Sequence, residues 1–208
     1  VLCESSAAAL VKVLENFEKK FKKYLSNIKW LNLGGGHLIT KDGYDVELLV
    51  NTLKYFKKKY QVEIILEPGG AIAWQTGFLK TTIIDIVENQ GSPTAIIDAS
   101  FTCHMPDCLE MPYRPEIMEG SYHAEKYPFR YNIGGVSCLA GDFLTDYSFS
   151  KPLKIGNTLT FQDMMHYTMV KTTMFNGIDH PSIGVIRADD RFELLKTFTY
   201  QDYRDKLS

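Results

Sequence analysis

Apolar residues recur at helical spacing from Ser6 to Leu25, where Leu10, Leu14, Phe17, Phe21 and Tyr24 alternate with Glu and Lys. This predicts an amphipathic helix, with Ser5 or Ser6 as its N-cap. Residues Ile28 to Leu33 read as a short strand that runs into Gly34, Gly35 and Gly36. A second helix is predicted from Val46 to Lys59, capped by Asp45 and burying Val46, Leu49, Val50, Leu53 and Phe56. "VEIILEPGG", Val62 to Gly70, then reads as a nearly continuous apolar strand, buried on both faces. Helix, strand, helix, strand at these lengths predicts parallel βα units.

Beyond Gly77 the period changes. "TTIIDIVEN", "TAIIDAS", "NTLTFQD", "PSIGVIRA" and "FELLKTFTY" are short β-prone runs separated by Gly, Pro, Asn and Asp, which predicts an antiparallel β domain. The expected organisation is therefore α/β plus β, with βα units over 1–76 and a β domain over 77–208. Two parallel strands with one crossover leave buried-type faces without neighbours, so further units are expected upstream of Val1.

Composition adds bounds rather than chemistry. The 208 residues are 45% hydrophobic and 23% charged, values of an ordered globular chain. A net charge of −2 gives no electrostatic footprint for nucleic acid or an acidic membrane. Cys3, Cys103, Cys108 and Cys138 show no CxxC spacing, so no zinc site or disulfide framework is signalled and reduced thiols in a cytoplasm are expected. No apolar run approaches the roughly 20 residues that span a bilayer.

Several stretches are candidates for chemistry. In "KWLNLGGGHLIT" three glycines at a strand end allow either a phosphate cradle of backbone N–H groups or a tight turn, and His37 fits a turn or core position. "LEPGG" places Glu67 at the end of a parallel strand, where a carboxylate needs a partner and where βα sites are built. "GGVSCLAGD" brackets Cys138 with glycines and sets Asp142 four residues on; a buried small hydrophobe and a site thiol are both compatible. "CHMPDCLEMPYRPEI" is a polar, Pro-punctuated loop holding His104, Asp107, Glu110, Tyr113 and Arg114. From pattern alone, "HYTMVKTTMFNG" reads as a strand and a turn.

In this order "GGGH", "EPGG", "HMPD", "MPYRPEI", "CLAGD" and "HYTMVKTTMFNG" resemble the carboxynorspermidine/carboxyspermidine decarboxylases, pyridoxal phosphate (PLP) enzymes of the alanine racemase-like class related to ornithine and diaminopimelate decarboxylases. The resemblance runs from Leu2 to about Tyr203 and covers the family's C-terminal half. It implies the last βα units of a PLP-binding (β/α)8 barrel followed by an antiparallel, barrel-like β domain. It also implies a cytoplasmic homodimer with shared active sites, acting in polyamine synthesis without nucleic-acid, membrane or metal partners.

The resemblance assigns roles as well. Gly34, Gly35, Gly36 and Tyr167 match the residues that hold the PLP phosphate, and Glu67 matches the acid at the pyridine nitrogen. Cys138 matches a cysteine that enters the partner's active site and reprotonates the α-carbon, and Asp142 the acid closing the same motif. Phe175, Asn176 and Gly177 match a pocket turn. Asp107 matches an acid that meets substrate amines, whereas Gly70 replaces a second such acid. Leu139, where ornithine decarboxylases carry an acid, implies a longer polyamine substrate. The family's PLP-anchoring lysine belongs to the preceding half, and Lys29, Lys41, Lys80 and Lys171 do not match it. The alternative is an inactive regulatory or binding module of the same fold. "CLAGD" and "HMPD" disfavour a different amino acid decarboxylase of that fold.

Overall fold

The computed structural model describes residues 6–89 and 91–208, which leaves Cys3 and the possible cap Ser5 outside it. The chain divides into a unit that ends at Trp74 and a unit Gln75–Ser208.

In the first unit the helical periodicity becomes α1 (Ala7–Leu25), whose N-cap Ser6 accepts from the Ala9 N–H, and α2 (Val46–Tyr60), whose cap Asp45 accepts from Leu48. Leu10, Leu14, Leu25, Leu49, Phe56 and Val62 form its core. The expected stripes are wider than the buried ones: Phe21, Tyr24, Val46 and Val50 are exposed. Between the helices β1 (Trp30–Asn32) pairs in parallel with β2 (Glu63–Ile65), Trp30 opposite Glu63. The strand expected over 62–70 is thus three residues long, and it is not buried on both faces: Glu63 and Ile65 are exposed. The pairing continues beyond the strands, with Leu33 donating to the Ile65 carbonyl and Glu67 to that of Gly34. A single turn, α3 (Gly69–Ile72), follows.

The second unit is built on a six-stranded sheet. Its strands are β3 (Phe78–Asn89), β4 (Ser92–Ile97), β5 (Gly120–Ser121), β6 (Phe129–Gly134), β7 (Phe143–Phe149) and β8 (Thr158–Gln162), in the order β5-β7-β6-β4-β3-β8. The expectation of an antiparallel sheet is corrected here, because β4 and β6 pair in parallel. Parallel pairing requires a long crossover, and the chain supplies one through α4 (Phe101–His104), α5 (Asp107–Glu110) and β5. Residues 116–121 pair first with β8, through an Ile117–Phe161 bridge, and then with β7, so the sheet curls toward a half-barrel. Ile83, Ile97, Phe101, Ile133, Tyr147 and Phe161 fill its interior. Each such burial contributes on the order of 1.5–3 kcal/mol.

Two further expectations change. Residues 166–177 form α6 (His166–Val170) and a 3₁₀ turn (Phe175–Gly177) instead of a strand. Lys171 is held by Asp107 and Glu110 of α5, Thr173 by Cys103 of α4, and Asn176 by the Cys138 N–H. The run 192–200 divides into β10 (Phe192–Lys196), paired with β9 (Ile183–Ile186), and α7 (Tyr200–Leu207). Thr199 and Asp202 form a capping box that starts α7 and ends the extended chain.

Candidate active site

The glycine loop follows from strand geometry. Gly34 and Gly36 adopt φ of 72° and 82°, left-handed values that a Cβ disfavours. Gly35 lies against β2's continuation, where a Cβ would meet the Glu67 carbonyl oxygen at 2.8 Å. Two positions thus need the conformation and one needs the space. Among the described residues, the N–H groups of Gly35, Gly36 and His37 have no protein acceptor. His37 is buried, in the core position allowed for it.

Glu67 sits beside this loop, exposed, at the end of the neighbouring strand. Asn32 links the two: its Nδ2 donates to Glu67 Oε1 at 2.6 Å, and its Oδ1 accepts from the Gly34 N–H at 2.8 Å. The sequence reading passed over Asn32. Its signal was available, since Asn two residues before a glycine forms an Asx turn through its side chain. Gly70 lies in α3, and a Cβ there would make ordinary contact with Leu38 at 3.5 Å. Within the first unit, then, Gly34, Gly35, Gly36 and Glu67 come together.

In the second unit a separate group forms around Cys138, whose side chain is exposed while Cys103 and Cys108 are buried free thiols. Asp142 is 4% exposed, and both its carboxylate oxygens are taken by backbone: Oδ1 accepts from Thr102 and Oδ2 from Ser137, each at 3.0 Å. Its carbonyl accepts from Gly135 at 2.7 Å. That geometry makes Asp142 a buried brace of the Cys138 loop. The Cys138 N–H donates to Asn176 Oδ1 at 3.0 Å, and the Cys103 thiol donates to the Phe175 carbonyl at 3.7 Å. The "CLAGD" and "FNG" stretches thereby meet each other and the Thr102–Cys103 end of the "CHMPD" loop.

Asp107 is engaged by Lys171 Nζ at 2.6 Å, and Glu110 binds the same ammonium. The two carboxylates hold the Lys171 pKa above its ordinary value. Tyr167 is exposed on α6, its ring edge-on to His166. Phe175 is exposed as well. Burial, and then the neighbouring His180, depress the His104 pKa to about 4, and His104 Nδ1 accepts from the Ser100 N–H at 3.2 Å. Burial pushes the Cys108 thiol up to about 11, which removes it as a nucleophile near neutrality.

The sequence pattern of the pyridoxal-dependent decarboxylase C-terminal sheet domain matches residues 13–165. The chain belongs to this family. It is 54% identical over 207 residues to the carboxyaminopropylagmatine decarboxylase of Synechocystis sp., covering 99% of this chain and 53% of that protein. It is 44% identical to the carboxynorspermidine/carboxyspermidine decarboxylase of Campylobacter jejuni, over 97% of this chain and 55% of the relative. A crystal structure of the Campylobacter jejuni carboxynorspermidine decarboxylase complexed with norspermidine superposes with a TM-score of 0.86, covering 99% of this chain and 59% of that one. The chain therefore spans about half the length of the pyridoxal-dependent decarboxylases it resembles.

Proposed function

We propose that the chain is the glycine-loop and sheet-domain half of a PLP-dependent decarboxylase that removes CO₂ from carboxylated polyamines. The observation that carries this reading is the Asn32 bridge. It sets a carboxylate with one free oxygen beside a loop whose successive N–H groups lack acceptors, at the ends of two parallel strands. Those groups fit PLP, since the open donors suit a phosphate and the carboxylate suits a protonated ring nitrogen. When bound, PLP supplies the electron sink for the carbanion left as CO₂ departs.

The chain's own residues supply the rest. The loop Gly34, Gly35 and Gly36 holds the phosphate, with the N–H groups of Gly35, Gly36 and His37 open to donate and that of Gly34 kept by Asn32, and the family resemblance gives Tyr167 a role toward the same phosphate. Glu67 holds the proton at the ring nitrogen, kept in orientation by Asn32. Cys138 gives its thiol proton to the α-carbon, the S–H bond breaking as the C–H bond forms, and the thiolate is reprotonated by solvent. Asp142 acts through the loop it braces. Asp107 and Glu110 against the one Lys171 leave a net negative charge suited to a substrate cation. Phe175, exposed in the turn that carries Asn176, keeps the pocket-turn role that the family resemblance gives it. A cytoplasmic homodimer with Cys138 crossing to the partner's site belongs to the same proposal. Among the described residues no helix is long and apolar enough to cross a membrane.

The distal group of the substrate is either an ammonium, as in carboxynorspermidine and carboxyspermidine, or the guanidinium of carboxyaminopropylagmatine. The 54% identity to the Synechocystis sp. enzyme supports the latter as a second reading. The test is CO₂ release by the full-length protein with PLP and each of the three compounds in turn. Turnover of at least one is expected. Bound PLP without turnover of any would overturn the reading in favour of an inactive module.

A further inference from the structure

We infer that Asn176 is a positioning residue for Cys138, which acts by fixing the cysteine's backbone while leaving its thiol free. The role of the thiol rests on the function proposed above, but the tether does not. Asn176 has φ 61° and ψ 14°, a left-handed conformation that Asn tolerates better than most residues with a side chain. In that conformation its Oδ1 receives the Cys138 N–H at 3.0 Å. The next N–H toward the N-terminus, that of Ser137, is held by Asp142 at 3.0 Å. Two consecutive peptide N–H groups are thus anchored to two different segments, which fixes the direction of the Cys138 Cα–Cβ bond.

The turn that carries Asn176 is itself anchored. Thr173 donates to the Cys103 carbonyl at 2.9 Å, the Cys103 thiol reaches the Phe175 carbonyl, and Gly177 donates to Met174 at 3.0 Å. Cys103 is fully buried in α4, beside Phe101 of the sheet interior. The tether therefore refers the exposed loop back to the core. Only a residue that both accepts a hydrogen bond and occupies the left-handed region fills this position. Asp meets both conditions, Gly meets the second alone, and Ala meets neither.

The experiment compares Asn176→Gly, Asn176→Asp and Asn176→Ala in the full-length protein, by hydrogen exchange at the Cys138 amide, by melting temperature and by steady-state kinetics. Asn176→Gly is expected to speed Cys138 amide exchange by about fivefold or more and to lower kcat by a similar factor, with KM and the melting temperature little changed. Asn176→Asp is expected to restore both, and it remains decisive if Asn176→Ala fails to fold. Unchanged amide exchange in Asn176→Gly overturns the inference. So does a fall in kcat that Asn176→Asp does not rescue. If no carboxylated polyamine is turned over while the exchange responds as expected, the tether stands and the proposed function falls.

Discussion

Asn32 Nδ2 lies 2.6 Å from Glu67 Oε1, and its Oδ1 holds the Gly34 N–H, so one side chain connects the strand-end acid with the glycine loop. Both bonds come from the amide's opposite chemical ends, so an isostere that lacks either end breaks one of them. Asn32→Leu is expected to weaken PLP binding about tenfold, the loss of a hydrogen bond to a charged group. Asn32→Asp keeps the Gly34 contact but sets a second negative charge against Glu67, and it should also weaken binding. Equilibrium titration of PLP by fluorescence measures both.

Gly35 is required by space and not by conformation. The Cβ of Gly35→Ala would meet the Glu67 carbonyl oxygen, which is backbone and cannot swing away. Destabilisation of about 1–3 kcal/mol is expected, the usual cost of overpacking. Gly43→Ala, where a Cβ meets nothing within 4 Å but φ is 76°, isolates the conformational cost of about 1–2 kcal/mol. Chemical denaturation compares the two, and only Gly35→Ala should also disturb PLP binding.

By the sequence resemblance, Gly70 is expected to replace an acid that meets the substrate's amines. Because a Cβ there makes only ordinary contact with Leu38, Gly70→Glu should be accommodated. A new charge-assisted contact of about 1.5–3 kcal/mol would lower KM for a carboxylated polyamine by roughly tenfold or more. An unchanged KM would show that position 70 does not face the substrate's amines.

His104 links stability to pH. Its folded pKa is depressed to about 4 from the ordinary 6.5, chiefly by burial. Between those values the unfolded chain binds a proton that the folded one does not, so unfolding free energy rises with pH across this window. Acidification from about 6.5 to about 4 is expected to remove up to about 3 kcal/mol. His104→Gln should flatten that slope in denaturation curves taken across the window, whatever it costs at neutral pH.

Much of the first unit was legible because its signals are local. Ser6 and Asp45 cap helices by bonds to residues three positions on, and the helical spacing of Leu10 with Leu14 in α1 and of Leu49 with Phe56 in α2 follows from helix geometry alone. Gly34, Gly35 and Gly36 stand out for a similar reason, as losses of side chain that only a backbone constraint explains. The sheet domain was less legible. The β4–β6 pairing is parallel because a distant crossover places those strands side by side, and nothing in either strand's own alternation encodes direction. Residues 166–177 resemble a strand in composition, yet Lys171, Thr173 and Phe175 are held by Asp107 and Cys103, 64 to 72 positions earlier in the chain.

The same division runs through the candidate site. The sequence by itself determined the residue types: the glycines, a strand-end acid, a cysteine between glycines, and the motif order that marks the family. Only the tertiary structure decided how they are held. Asn32 became the link to Glu67 because two parallel strands bring their ends into register. Asp142 became a brace because burial leaves its carboxylate satisfied by Thr102 and Ser137. Asn176 became the tether of Cys138 because a left-handed turn faces a loop 38 residues away. Hydrogen bonds are short-ranged and directional, so partners distant in sequence are fixed only once the chain has folded.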